Sequence, residues 1–239
     1  MQNNNKVWLI DYMGSDKLHC LSAWASTFLE LGIDMPDDPK MRVEEIVNYI
    51  LAKSKRMRSM EQLLEYLANE NHESPFRMSA FVFGMTTDIA THIQKLKHAV
   101  ILEAENGESA KYKELKEDKF YLPEDWEATN NDNLILDYWK GKLKQYSEET
   151  NDLYHQCLKD LRPILGDKRA KETARYFKMY NSQINTINKF SFAGVMLFAK
   201  KRTVDFAQEE IKQIALEMIK EIKKIPNNPF EYSLKAFNL

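Results

Sequence analysis

Only two cysteines, Cys20 and Cys157, occur in the 239 residues, which excludes a disulfide framework and a cysteine-built zinc site. There is no surplus of either charge. Thirty-four Lys and Arg face 36 Asp and Glu, for a formal net charge of −2, so no long-range field recruits nucleic acid or an acidic membrane, and neither is an expected partner. No apolar run approaches the roughly 20 residues that cross a bilayer. The polar opening Met1-Gln2-Asn3-Asn4-Asn5-Lys6 lacks the hydrophobic stretch of a secretion signal. A cytoplasmic location is the expectation. The chain also lacks a P-loop, a dinucleotide-binding fingerprint, a serine-hydrolase elbow, internal repeats and low-complexity tracts.

What is present is material for a packed interior: 11 methionines and 11% aromatic residues. The length is most economically one domain, residues 1–239. Residues 7–12 read as a buried strand ending at Gly14, with Asp16 capping a helix to about residue 31. Helical spacing recurs over 43–55 and 60–68, residues 76–83 alternate as a strand, and 88–98 return to helical spacing. Residues 111–119 are charged and expected at the surface. Residues 134–165 form a long amphipathic pattern whose stripe is Leu136, Trp139, Leu143, Tyr146, Leu153 and Leu158, with a break expected near Pro163. The clearest amphipathic helix is 205–222, with Phe206, Ile211, Ile214, Ala215 and Ile219 on one side.

Arg175 and Arg202 are the cations of most chemical interest, because each sits beside apolar or small residues rather than in a charge run. A guanidinium presents a planar fork of donors that suits a phosphate or the carbonyl edge of a base. A structural partner such as Glu209 or Glu210 is the competing use. Lys95, Lys97 and His98 end a helix, where cations also neutralise the dipole. His72, before Ser74-Pro75, reads equally as a ligand contact or a surface residue, and His19, His92 and His155 show no metal-ligand spacing. Gly107 marks an expected tight turn where backbone amides and Ser109 face an anion. Both cysteines read as buried or half-buried helix residues rather than nucleophiles.

Nearly the whole chain resembles the flavin-dependent thymidylate synthases. Leu9-Ile10-Asp11-Tyr12-Met13-Gly14-Ser15-Asp16, with Ala23 and Ser26, is similar to the family's first strand and helix. His72-Glu73-Ser74-Pro75-Phe76 resembles its His-x-Ser-Pro-Phe element, and Phe81-Val82-Phe83 the strand that follows. Gln94 and Lys97-His98-Ala99 fall where the family has a glutamine and its Arg-His-Arg signature, and Ser109-Ala110-Lys111-Tyr112 resembles the end of the signature loop. Phe120-Tyr121-Leu122-Pro123 is similar to the next segment. Ala174-Arg175-Tyr176, Asn181, Arg202 and Ala207-Gln208 with Glu210-Ile211 match the C-terminal half without a gap.

The resemblance implies an α/β fold: a helix-rich single domain with a mainly antiparallel central sheet flanked by helices, assembled as a homotetramer with FAD where subunits meet. It implies transfer of a one-carbon unit from methylenetetrahydrofolate to C5 of a deoxypyrimidine monophosphate, dUMP to dTMP, with NADPH reducing the flavin. Carried over by position, Arg202 and Ser109 act at the reacting base, and Arg175, Arg202, Gln94, Ser109 and Lys111 hold the nucleotide. Lys97, His98, Ser26, Asn106 and Glu108 belong to the cofactor site, and no metal is implied.

The departures from the pattern are equally specific. Lys97 and Ala99 replace the signature arginines, Lys111 replaces another, and about two extra residues lengthen the loop within 100–105. Gly107 stands for a glutamate, Met78 for a histidine, Val82 for a threonine and Trp24 for an arginine. Each lost charge-assisted contact removes about 1.5–3 kcal/mol. A flavin-independent nucleotide-binding or assembly paralogue, and a relative that makes a hydroxymethylated pyrimidine nucleotide, therefore stand beside the first reading.

Overall fold

The computed structural model describes residues 1–25, 36–53, 58–98, 101–126 and 134–239. Its centre is a four-stranded sheet of β1 (Lys6–Met13), β2 (Ala80–Asp88), β3 (Leu102–Gly107) and β4 (Gln183–Ser191). The spatial order is β1-β2-β4-β3 and every pairing is antiparallel. The helices are α1 (Asp16–Ala23), α2 (Pro39–Lys53), α3 (Met60–Asn69), α4 (Ile89–Leu96), α5 (Leu134–Ala174), α6 (Phe192–Arg202), α7 (Glu209–Lys223) and α8 (Glu231–Ala236). This is the expected helix-rich α/β architecture.

One face of the sheet carries the core. Phe81, Phe83 and Met85 of β2 and Phe190 of β4 are fully buried, as the period of two requires when one face meets helices. α6 and α7 supply Val195, Met196, Phe198, Ile211, Ile214, Met218 and Ile222 to the same cluster. At the start of α6, a methyl group on Gly194 would lie 2.7 Å from the Ile101 carbonyl oxygen. Glycine lets the helix approach the strand entry that closely.

Several expectations are corrected. β1 is an edge strand rather than a buried one, with Trp8, Ile10, Tyr12 and Met13 exposed. The cap of α1 is Ser15, whose Oγ accepts the Leu18 N–H, while Asp16 turns inward to accept the N–H groups of Tyr232 and Ser233. Phe76 lies in a 3-10 turn (Pro75–Arg77), so β2 starts later than its alternation suggests. The α5 stripe is displaced: Trp139, Tyr146 and Leu153 are exposed, and the buried line is Ser147, Asn151, Tyr154 and Leu158. The break in α5 falls at Gly166, with φ 76°, rather than at Pro163. Proline removes a donor, but glycine tolerates the reversed dihedral. Phe206 precedes α7 and is 91% exposed.

His19 is buried and joins α1 to two other elements, Nε2 lying 2.8 Å from Ser79 Oγ and Nδ1 2.8 Å from Ser233 Oγ. The Ser233 hydroxyl also bonds Asp16. Burial pushes the imidazole pKa down to about 3 and the Asp16 carboxyl up to about 6.

Candidate functional site

α4 delivers the first group of residues. Asp88 caps it, accepting the Thr91 N–H at 2.9 Å, and Thr91 and Lys95, four apart, face inward together. Lys95 is not the dipole-neutralising surface cation its sequence position suggests. It is 1% exposed, pairs with Glu105 of β3 at 2.9 Å and donates to Asn188 and Thr186 of β4. His92 Nε2 is 3.5 Å from the same carboxylate. Burial lowers the pKa of both Lys95 and His92, and Glu105 opposes the shift. Around this anchor, Gln94, Lys97 and His98 occupy the end of α4 and the turn after it. The Gln94 carboxamide oxygen is buried with no partner among the described residues, and Lys97 has no ion pair among them.

The second group follows Glu105 along β3. A bulge at Glu103 accommodates part of the added length before Asn106 pairs with Ile187. Gly107 continues the strand opposite Thr186 and is not a turn; the turn comes at Ser109, whose carbonyl accepts the N–H groups of Tyr112 and Lys113. Ser109 Oγ accepts the Lys111 N–H at 3.3 Å. Glu108 is engaged by Asn185 Nδ2 at 3.0 Å and Lys113 Nζ at 2.7 Å. Lys111 Nζ lies 3.3 Å from Glu172 near the end of α5, and its hydrogen bond holds that carboxylate below its usual pKa. Arg175 follows within the 3-10 turn Arg175–Phe177, exposed and without an ion pair among the described residues.

The third group is Arg202, half-buried at the end of α6. Its Nε and Nη2 both donate to His98 Nε2, at 2.9 and 2.6 Å. Neither Glu209 nor Glu210 takes it; they bond Lys212 and Gln208. The structure thus joins Arg202 to His98, and Ser109 to Lys111 and Glu172. No hydrogen bond or ion pair among the described residues links the two sets, and Ser26, like Ala99, lies outside those residues.

Sequence reasoning missed the burial of Lys95, and it did not single out Glu105 or Glu172. The four-residue spacing of Thr91 and Lys95 was the available signal for the first. Cys20 is buried, its thiol pushed up to about 12 mainly by burial, and Cys157 is half-buried. Among the described residues no cluster suited to a metal ion occurs, and no helix is long and apolar enough to cross a membrane.

These features define a class: a helix-backed antiparallel sheet with arginine, lysine, histidine and amide groups set at helix and strand ends, types that suit an anionic, hydrogen-bonding ligand. The chain belongs to the family described as thymidylate synthase complementing protein, which matches residues 8–226. It is 29% identical over 223 residues to the flavin-dependent thymidylate synthase of Pseudothermotoga lettingae, covering 92% of this chain and 85% of that one. To the enzyme of the same name from Clostridium tetani it is 26% identical over 188 residues, covering 77% and 74%. The fold is similar to the crystal structure of a UMP/dUMP methylase, PolB, from Streptomyces cacaoi bound with 5-Br dUMP. The TM-score is 0.74 at 21% identity, over 99% of this chain and 96% of that one.

Proposed function

We propose that this protein transfers a one-carbon unit from methylenetetrahydrofolate to C5 of a deoxypyrimidine monophosphate, with dUMP as substrate and dTMP as product. The supporting observation is that the family match runs through all three groups, from α4 to Arg202. Arg202 would meet the carbonyl edge of the base, and a fixed guanidinium there stabilises the negative charge that builds as C5 becomes nucleophilic. The unpartnered Gln94 carboxamide oxygen suits a base N–H. Arg175, Lys111 and Ser109 would hold the phosphate and sugar and exclude water from that edge. The inert setting of Cys20 accords with a reaction that uses no cysteine nucleophile.

The donor set also fits FAD. Lys97, with no ion pair among the described residues, follows Gln94 by three positions at the end of α4, where the Gln94 amide oxygen is buried without a partner among them, and Lys97 with Asn106 would hold the cofactor. When bound, reduced flavin would supply the hydride that completes the methyl group, with NADPH as its reductant. Assembly as a homotetramer in the cytoplasm belongs to the same proposal. In one chain Ser109–Lys111 and Arg202–His98 share no bond among the described residues. Tyr138, Trp139, Tyr146 and Leu153 also leave an apolar line exposed on α5, which a second copy would cover.

One observation favours a second reading, a flavin-independent nucleotide-binding subunit. Glu108 and His98, both in the cofactor group, already have internal partners. Calorimetry with FAD, dUMP and dCMP on the purified protein separates the two. Binding of FAD and dUMP with a yellow protein supports the first, dUMP binding alone supports the second, and no nucleotide binding overturns both.

A further inference from the structure

His98 stands in the cofactor group by sequence resemblance, yet its ring nitrogen is turned on a side chain of its own subunit. Two guanidinium N–H groups of Arg202 converge on His98 Nε2 at 2.9 and 2.6 Å. An imidazole nitrogen that accepts two hydrogen bonds carries no proton, so the ring proton is on Nδ1 and the ring is neutral. Phe198 packs edge-on against the same ring, with centroids 5.3 Å apart, and fixes its plane.

From this geometry we infer that His98 is a positioning residue: a neutral acceptor that takes the Nε–Nη2 edge of Arg202 and directs the remaining Nη1 edge at the nucleotide base. The inference rests on the reading of Arg202 as a nucleotide ligand and gives His98 a task within the protein rather than on a cofactor. An arginine with five N–H donors binds a base carbonyl in one orientation only if another group fixes its fork. Here that group is uncharged, so Arg202 keeps its full positive charge for the ligand. A carboxylate in the same place would neutralise it.

The arrangement has a direct pH consequence. The charged groups about the ring are Arg202 and Lys201 from α6 and Lys97 beside it in sequence; no carboxylate among the described residues pairs with it. Burial, followed by Arg202 and Lys201, disfavours the imidazolium. Protonation turns Nε2 from acceptor to donor, breaks both bonds and sets like charges together, releasing the guanidinium.

The test combines ring 15N NMR of His98 with dUMP calorimetry from about pH 5 to about pH 8, on the full chain and on His98→Gln and His98→Ala. The expected NMR result is an Nδ1–H tautomer at neutral pH that is lost on substituting Arg202. In calorimetry the wild type should lose more dUMP affinity on acidification than His98→Gln loses. That variant keeps a neutral acceptor and so reports the titration of the phosphate itself. His98→Ala should bind about tenfold or more weakly across the range. An Nε2–H tautomer, a ring charged at neutral pH, or His98→Ala binding as the wild type does overturns the inference. If wild type binds no dUMP, the nucleotide reading fails while the tautomer measurement still decides the His98–Arg202 relationship.

Discussion

The Lys95 ammonium lies 2.9 Å from the Glu105 carboxylate in a place where the lysine is 1% exposed. This pair ties α4, which carries Gln94, Lys97 and His98, to the strand that leads into Asn106 and Ser109. Removing one partner leaves the other uncompensated in a poorly solvated setting, which typically costs about 3–5 kcal/mol. Lys95→Met should therefore lower the unfolding free energy by that amount, read as a lower urea midpoint at an unchanged slope. Lys95→Met combined with Glu105→Gln should recover most of the loss. A double variant no more stable than Lys95→Met would show that the pair is not a unit.

His19 sets an acid limb. Its folded-state pKa, about 3, lies below its ordinary 6.5, so the unfolded chain binds the extra proton between those values. The stability His19 contributes is complete above about pH 6.5 and is lost as pH falls towards 3. Asp16, raised from 3.8 to about 6, acts oppositely, its contribution falling as pH rises through that window. In denaturant titrations against pH, the advantage of wild type over His19→Ala should shrink steadily on acidification. A constant difference from neutral pH to pH 4 contradicts the assignment.

Arg202 is predicted to matter for binding far more than for folding, since its side-chain bonds go to His98 at a half-buried edge. Arg202→Ala should weaken dUMP binding by about 10- to 100-fold, the size of one or two charge-assisted hydrogen bonds, with the melting temperature nearly constant. Arg202→Lys should rescue little of it, because an ammonium cannot bond His98 and a base edge with one rigid fork. Unchanged affinity in Arg202→Ala removes it from the nucleotide site.

A substitution at Lys97 should separate cofactor from substrate binding. Lys97→Ala should reduce FAD affinity by about tenfold through loss of one exposed cation, while dUMP affinity changes less. Parallel calorimetry with the two ligands reads this directly. Equal losses for both would place Lys97 at the nucleotide instead.

Much of the fold is legible in the chain because local patterns agree with tertiary demands. Met60 to Asn69 carries a capping box at Ser59 and Gln62 and forms the helix its spacing predicts. Ile211, Ile214, Ala215 and Ile219 bury the predicted face of α7. Where two neighbours compete for one role, the pattern misleads. Ser15 and Asp16 both suit a cap, and the choice falls to Ser15 because α8 needs the Asp16 carboxylate. α5 hides Ser147 and Asn151 rather than Trp139 and Tyr146, because those polar groups bond Asn181, Lys178 and the Asp118 carbonyl.

By itself the sequence determined the class of fold, most of the helices and the family. Each of these depends on periodicity or on residues close together along the chain. Only the tertiary structure decided that Lys95 is an interior residue paired with Glu105, that Glu108 is already engaged, and that Arg202 spends one edge on His98. Those facts are contacts between residues as much as 104 positions apart. Hydrogen bonds and burial respond to distance in space, and no local pattern encodes that.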